Sequence, residues 1–288
     1  MKHLHDCSEP ILLTSSDTDC LSTLANTYRF ISVLGSGVEG TAIKINKDQR
    51  FFAIKISKAQ DSRRSLKMAC KLNDLKDYTG IFVYTYGWLV CNNIPNDWLR
   101  FMEKEKEEGL LLFTVMEISA LKWSDVILTK EELVICFLIL MHGFYIAKSK
   151  IGFAHNDLHA GNVLLQTIPY KESEIYLEVY PGLVFKITGE QTRFVPKIID
   201  FGMAVSKVPE NDDLSDLKFL FARETNVLDS ISDNVSDVEN FENHMFEKYR
   251  TESRKRTKTC FTCSSVAQYE REEDGRFTFC SQACSNLF

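Results

Sequence analysis

A run of apolar residues from Leu133 to Ala147 leaves this chain few possible folds. A helix over residues 130–150 would be apolar on every side, so other parts of the protein would have to enclose it. A membrane span is the alternative interpretation. Spans need about 17–25 apolar residues, whereas this run is shorter and contains His142 and Gly143. The run therefore predicts a buried helix in a globular core.

Length and composition agree with a globular protein. The chain has 288 residues, of which 44% are hydrophobic and 26% charged, enough for one or two domains with a sizeable core. The net charge of −6 argues against a general nucleic-acid-binding surface. Residues 1–7 lack the basic-then-apolar order of a signal peptide. We expect an intracellular protein, cytoplasmic or nuclear, with no membrane partner.

Hydrophobic periodicity and turn residues predict an α+β protein, in which an antiparallel sheet with one helix precedes a mainly helical half. Strands are predicted at 29–37, 40–46, 51–57, 81–91 and 110–118, and again within 175–199. Helices are predicted at 60–77, 130–150, 212–222 and 238–250.

The first predicted hairpin carries a glycine-rich loop, with Gly35, Gly37 and Gly40 spaced as G-x-G-x-x-G. Glycines lack Cβ atoms, so the backbone amides of such a loop can approach phosphate groups closely. An ordinary hairpin is the alternative for this motif alone. Lys55 follows on the third strand, where its ammonium group would hold the α- and β-phosphates of a nucleotide.

Two acidic motifs follow the apolar run, each with residue types that phosphoryl transfer uses. In the first, Asp157 would accept the proton of a substrate hydroxyl, and Asn162, five residues later, would hold a magnesium ion. The second is an apolar strand ending in Asp-Phe-Gly, where Asp200 would bind the same metal through oxygen. Either motif alone could be a turn, but four motifs in this order argue against coincidence.

Together these motifs resemble those of protein kinases. The form Asp157-Leu-His-Ala-Gly-Asn162 and the long stretch before Asp200 are similar to the haspin-like atypical kinases, and the resemblance covers residues 28–222. It implies a two-lobed fold with a shortened C-lobe. It also implies ATP- and magnesium-dependent phosphoryl transfer to serine and threonine hydroxyls of protein substrates.

The resemblance also assigns the nucleotide-binding residues. Met116 would be the gatekeeper, and the backbones of Glu117 and Ser119 would bind adenine. Ala53 and Leu164 would enclose the ring, with Ala42 following the glycine-rich loop. Asp216 would be the buried helix aspartate that braces the catalytic loop, although an exposed acid at a helix N-terminus is the alternative.

Several residues depart from the kinase pattern. No glutamate occurs between Lys55 and Glu103, so the helix glutamate that pairs with the lysine is missing, and Asp61 or Asp74 would have to replace it. Asn156 and His159 stand where most kinases have Arg and Lys. No Ala-Pro-Glu follows, and the remaining chain is short for a full helical lobe. A compact viral or atypical kinase has these features, and a viral protein would act in the host cell.

Four of the nine cysteines lie in the last 29 residues with the spacing of a zinc site, namely Cys260, Cys263, Cys280 and Cys284. This tail resembles FCS and MYND-like zinc fingers, which bind protein or nucleic acid. Reduced thiols without metal are the alternative. The other five cysteines are scattered singly, which favours a reduced protein with a structural zinc over a disulfide framework.

These interpretations divide the chain into a lead-in at 1–25, an N-lobe at 26–119, a C-lobe at 120–250 and a zinc-finger module at 251–288. A serine/threonine-protein kinase is the first functional prediction. A nucleotide-binding pseudokinase, whose zinc finger recruits partners, is the alternative. A small-molecule kinase would share the Asp157 loop, but the glycine-rich loop and Asp-Phe-Gly argue against it.

Overall fold

The computed structural model describes residues 4–11, 13, 16–17, 19–37, 39–102, 109–119, 121–168, 174–180, 183–206 and 250–251. These residues form a mixed α/β protein with a five-stranded antiparallel sheet. They divide into two compact units. The first takes the described residues within Met1–Asn73, Val83–Ile118 and Asp200–Gly202, and the second takes the others.

The first unit is built on the five-stranded sheet. Its strands are β1 (Arg29–Gly37), β2 (Gly40–Lys47), β3 (Arg50–Lys58), β4 (Thr85–Cys91) and β5 (Leu111–Met116), in the spatial order β1-β2-β3-β5-β4. Its helices are α1 (Cys20–Thr27), α2 (Ala59–Asn73) and α3 (Asn96–Met102). The five strands predicted from the sequence are confirmed, although β4 begins later than predicted, and α1 and α3 were not predicted.

Alternation of apolar and polar residues is clearest in β2. Along β2, Thr41, Ile43 and Ile45 are buried while their neighbours are more exposed, as expected for a strand with one face on a core. Asp48 and Gln49 adopt φ values of 50° and 65° in the turn to β3. Positive φ at both central residues is the geometry that suits a two-residue hairpin.

Helix α2 packs on the sheet through Leu66 and Cys70, which contact Trp88 and Val90 in a buried cluster. The helix ends at Asn73, four residues before the predicted end. The side chain of Asn73 donates to the carbonyl oxygen of Thr85 at 2.7 Å and accepts from its N–H at 3.0 Å. These two bonds fix the point where the chain leaves the helix.

The described part of residues 4–25 is not the loose lead-in expected from its polar composition. The backbones of His5 and Trp88 exchange two hydrogen bonds of 3.0 and 2.9 Å. Asp17 and Val90 also exchange two hydrogen bonds of 2.7 Å. The N–H of Asp17 donates to the carbonyl oxygen of Val90, and the N–H of Val90 donates to the carboxylate of Asp17. This segment therefore lies along β4.

Four scattered cysteines are paired, which corrects the expectation that they are used singly. Cys7 is bonded to Cys70, and Cys20 to Cys91, with Cα atoms 5.1 and 5.7 Å apart. The partners are 63 and 71 residues apart in sequence, so their spacing gave no indication of pairing. Cys136 is free and buried, and burial raises the pKa of its thiol.

The second unit contains the long apolar helix α4 (Lys130–Ile151), as predicted. Thr129 and Glu132 form a reciprocal capping box at its start, and Gly152, with φ of 62°, ends it. By length and composition the segment Glu131–Ile151 could cross a membrane, but 67% of its most apolar window is buried inside the protein. Burial of this kind is typical of a core helix.

Two small antiparallel sheets complete this unit. One has the order β10-β7-β6, from β6 (Leu121–Lys122), β7 (Val163–Thr167) and β10 (Phe194–Ile198). The other has the order β11-β9-β8, from β8 (Glu174–Tyr180), β9 (Leu183–Thr188) and β11 (Arg250–Thr251). Arg250 is thus in a strand rather than at the end of the predicted helix 238–250, whose other residues, like helix 212–222, lie outside the described residues.

Glu132 joins the start of α4 to the segment that leads into β10. Its carboxylate accepts bonds of 2.6 and 2.9 Å from the Arg193 guanidinium and one of 3.2 Å from the Arg193 N–H. The Arg193 contacts lower the pKa of Glu132 to about 2, against an opposing effect of burial. The ion pair therefore holds the start of α4 and the segment before β10 together within the second unit.

Candidate functional site

The β1–β2 hairpin holds the three predicted phosphate-binding glycines. Gly40 has φ of 135°, and a Cβ atom there would collide with the carbonyl oxygen of Ile56, so the position requires glycine. A Cβ atom at Gly35 or Gly37 would meet nothing within 4 Å. The space beside these two residues is therefore open, as close approach of a phosphate to their backbone would require.

Lys55 lies on β3 opposite Ala42 of β2, with 22% of its side chain exposed. Its Nζ donates to Oδ1 of Asp200 at 3.0 Å and to Oε2 of Glu39 at 2.8 Å. Burial acts to lower the pKa of Lys55, but the two carboxylates outweigh it and the pKa is raised. Lys55 is therefore a cation at neutral pH, ready to meet an anionic ligand.

Asp200 and Glu39 share this cation but differ in acidity. Burial acts to raise the pKa of Asp200, while bonds from Glu39 and Lys55 lower it overall. The pKa of Glu39 is raised, first by its hydrogen bond with Asp200 and then by burial. Asp200 also adopts a positive φ of 65°, a conformation uncommon outside glycine and found at many functional sites.

Glu39 was not among the predicted site residues. The sequence held one signal for it, because Glu39 stands within the glycine-rich loop and the strand that follows pairs with the strand of Lys55. The two acids expected to replace the missing helix glutamate, Asp61 and Asp74, are both exposed.

The predicted adenine-binding residues of the first unit lie on neighbouring strands. Ala53 of β3 is buried and pairs with Met116 of β5. Beside them, the N–H of Glu117 donates to the carbonyl oxygen of Tyr84 at 2.8 Å, and the Glu117 carboxylate accepts from the N–H of Tyr84 at 3.2 Å. The Glu117 N–H is therefore already bonded within the protein.

Two other predicted adenine contacts belong to the second unit. Ser119 is buried, and its hydroxyl has no hydrogen-bond partner among the described residues. Leu164 is half-buried on β7, where it pairs with Lys197 of β10 and Lys122 of β6. The structure therefore keeps both residues on ordered segments of this unit.

Asp157 and Asn162 are brought together in the second unit. The Asn162 side chain is buried, and its Nδ2 donates to the Asp157 carbonyl oxygen at 3.0 Å and to its carboxylate at 3.4 Å. The Asp157 side chain is 52% exposed. The Asn162 amide nitrogen is thus used inside the loop, so its oxygen is the atom that fits a magnesium ion.

Hydrogen bonds hold this loop against the end of β10. His155 is fully buried, and its Nε2 donates to the carbonyl oxygen of Ile199 at 3.0 Å. The N–H of Ile199 in turn donates to the carbonyl oxygen of Asn162 at 3.0 Å. His155 is therefore placed to brace the loop. His159 accepts from the Gly161 N–H and places Nε2 3.8 Å from the Asp157 carboxylate.

Metal binding was predicted at two places. Within the described ranges, no group of three or more His, Cys, Asp or Glu side chains is arranged to hold a metal ion. The magnesium prediction uses one carboxylate and one amide, from Asp200 and Asn162. The predicted zinc ligands Cys260, Cys263, Cys280 and Cys284, and the predicted brace Asp216, all lie outside the described residues. The zinc module therefore stays a prediction.

Comparison with known proteins gives limited support for kinase character. No protein-family model matches the chain. A stretch of 74 residues is 34% identical to a protein of Dictyostelium discoideum named as a probable serine/threonine-protein kinase. The stretch covers 25% of this chain and 6% of that protein, so the chain spans only a small part of the relative's length. The similarity indicates a kinase-like segment and no more.

Proposed function

We propose that this protein is an ATP- and magnesium-dependent kinase that phosphorylates serine and threonine hydroxyls of protein substrates. The contact between Lys55 and Asp200 carries the proposal, because it joins residues of two motifs that are 145 positions apart. The partial similarity to a named probable kinase is consistent with it.

In this proposal the first unit binds the phosphates. The open backbone of Gly35 and Gly37 would cradle them, and Lys55 would neutralise the α- and β-phosphates. Asp200 and Asn162 would hold magnesium, which supplies further charge neutralisation when bound. The adenine ring would meet the backbones of Glu117 and Ser119.

Asp157 would act on the acceptor. Its exposed carboxylate can be reached by a serine or threonine hydroxyl, which it would orient and deprotonate as phosphate is transferred. The bonds from Asn162 Nδ2 hold Asp157, while the bond from the His155 side chain to the Ile199 carbonyl oxygen limits movement of the loop. Positioning of this kind supplies much of the rate enhancement in phosphoryl transfer.

We also propose that the two units correspond to the N-lobe and a shortened C-lobe of a kinase, and that residues 251–288 form a zinc module that recruits protein or nucleic acid. The alternative is a nucleotide-binding pseudokinase that acts through this module. One observation favours the alternative, since α2 has no glutamate to pair with Lys55.

A phosphotransfer assay distinguishes the two functions. Purified full-length protein would be incubated with radiolabelled ATP, magnesium and a peptide panel, and wild type compared with Asp157→Asn. We expect the variant to lose about 10²-fold or more in kcat, because its side chain keeps its shape but loses its basicity.

The matched control is Asp125→Asn, which removes the same charge from an exposed residue of the same unit and should keep the wild-type rate. Equal turnover by Asp157→Asn and wild type would exclude the enzyme. Nucleotide binding by a wild-type protein that labels no peptide would support the pseudokinase.

A further inference from the structure

Glu39 occupies the tip of the β1–β2 hairpin, between Gly37 and Gly40. From there its carboxylate reaches the ammonium group of Lys55, at 2.8 Å. Lys55 thus has two carboxylate partners, Glu39 and Asp200, both within the first unit. The proposed function gives Asp200 a task, but it gives none to Glu39.

A lysine that binds phosphate needs a fixed anionic partner. Its ammonium group ends a flexible four-carbon stem, and only a bound counter-charge keeps it in one place. Helix α2 follows the strand of Lys55 directly, yet its one acid, Asp61, is exposed in the first turn. Among the described residues, the contacts of Lys55 with a carboxylate come from Glu39 and Asp200.

Magnesium would change the balance between these two carboxylates. Two cations would then compete for Asp200, so its hold on Lys55 would weaken. Glu39 would remain as the full partner of the lysine. Lys55 has three N–H donors, so a bond to Glu39 leaves others for phosphate oxygens.

The backbone fixes the reach of Glu39. Thr41 and Ala42 pair with Ile56 and Lys55, so the hairpin is held in register with the strand that carries the lysine. Gly40 lies against the backbone of Ile56 and Ser57, where a Cβ atom would not fit.

The Asp-Phe-Gly segment leaves room for the same carboxylate. A Cβ atom on Gly202 would lie 2.8 Å from Cδ of Glu39. The absence of a side chain at Gly202 leaves space for the Glu39 carboxylate, and the absence of one at Gly40 lets the hairpin lie close to β3.

We infer that Glu39 is the positioning residue for Lys55 and takes the role that α2 leaves unfilled. The inference rests on the proposed function, since it concerns how the protein holds nucleotide phosphates. The opposite role is also chemically coherent, because a carboxylate on Lys55 could occupy the place of a phosphate and oppose nucleotide binding. The two roles predict changes of opposite sign when the charge is removed.

The test is calorimetric titration of the full-length protein with ADP and adenosine, in magnesium and in EDTA. Glu39→Gln keeps the size of the side chain and removes its charge. The control is Asp48→Asn, which removes one charge from the next hairpin of the same sheet. Thermal unfolding of each variant establishes that it is folded.

We expect Glu39→Gln to bind ADP with magnesium about tenfold more weakly than wild type, on the order of a lost charge-assisted hydrogen bond. The loss should be smaller in EDTA, where Asp200 still holds Lys55, and adenosine binding should not change. Where turnover is measured, kcat should fall. Asp48→Asn should match wild type in every titration.

Two results would overturn the inference. The first is equal or tighter binding of ADP by Glu39→Gln, which would make Glu39 neutral or a competitor of phosphate. The second is a loss of ADP affinity in Glu39→Gln that is no greater with magnesium than in EDTA. A wild-type protein that binds neither ADP nor ATP would instead refute the proposed function, so the two failures are distinguishable.

Discussion

Lys55 and Asp200 are 145 residues apart in sequence, and Nζ of Lys55 donates to Oδ1 of Asp200 at 3.0 Å. The bond connects strand β3 to the Asp-Phe-Gly segment within one compact unit. A cation and a carboxylate so placed offer one group to phosphate and one to a metal ion.

Nucleotide affinity should separate the two aspartates. Asp200→Asn removes the proposed metal ligand and a partner of Lys55, so Mg·ATP affinity should fall by about tenfold or more. Asp157→Asn removes the group proposed to act on the acceptor, so the Mg·ATP affinity of this variant should stay near that of wild type while kcat falls. Titration calorimetry and steady-state kinetics measure the two effects. A larger loss of affinity in Asp157→Asn would reverse these roles.

The Glu132–Arg193 pair should make stability depend on pH in the acid range. The pKa of Glu132 is lowered from 4.5 to about 2. Its contribution is therefore present above pH 4.5 and is lost as pH falls toward 2. Arg193 is 58% exposed, so solvent screening makes the contribution small.

Denaturant unfolding at several pH values measures this contribution. Glu132→Gln can still cap α4, so the variant should be less stable than wild type at pH 7 and should converge with it near pH 2. Glu190→Gln, at an exposed residue of the same unit, is the control and should be neutral. If Glu132→Gln were still less stable than wild type at pH 2, the loss of stability would come from packing rather than from the ion pair.

Gly143→Ala should destabilise the protein although alanine favours helices. A Cβ atom at Gly143 would lie 2.6 Å from Cγ1 of Ile81 and 2.8 Å from Oγ1 of Thr79. Overpacking of this kind costs about 1–3 kcal/mol, against about 1 kcal/mol gained in helix propensity. Thermal unfolding should show a lower Tm. The control is Ser149→Ala, on the exposed side of the same helix, which should leave Tm unchanged or raise it. An equal rise in Tm for Gly143→Ala would show that the site has room for a Cβ atom.

The C-terminal tail should bind one zinc ion per chain through Cys260, Cys263, Cys280 and Cys284. Cys280→Ser should release the metal, because a hydroxyl replaces a thiolate ligand. Elemental analysis of protein purified without chelator measures the number of zinc ions per chain. Ser281→Ala is the neighbouring control and should retain zinc. Wild-type protein without zinc would refute the site, and loss of ATP binding in Cys280→Ser would place the tail within the nucleotide-binding fold.

Local sequence patterns predicted the strands and helices, because these elements depend mainly on residues that are close together in sequence. Strand-like segments separated by turn residues predicted β1, β2 and β3, and the apolar run predicted α4 nearly to the residue. The contacts of Lys55 with Glu39, and of Asn73 with Thr85, depend on how distant segments meet. The cysteine pairs were missed for the same reason, because 63 and 71 intervening positions carry no spacing signal.

The N-terminal segment has a practical consequence for the sheet. Strand β4 is the last strand on its side, and His5 and Asp17 take up hydrogen-bonding groups that it would otherwise leave open at Trp88 and Val90. Unpaired strand edges invite association with other chains. A shortened protein that begins at the first kinase-like motif, near residue 26, would lose this cover and both cysteine links. Aggregation of such a product would reflect an uncovered strand edge rather than a defect in the proposed nucleotide site.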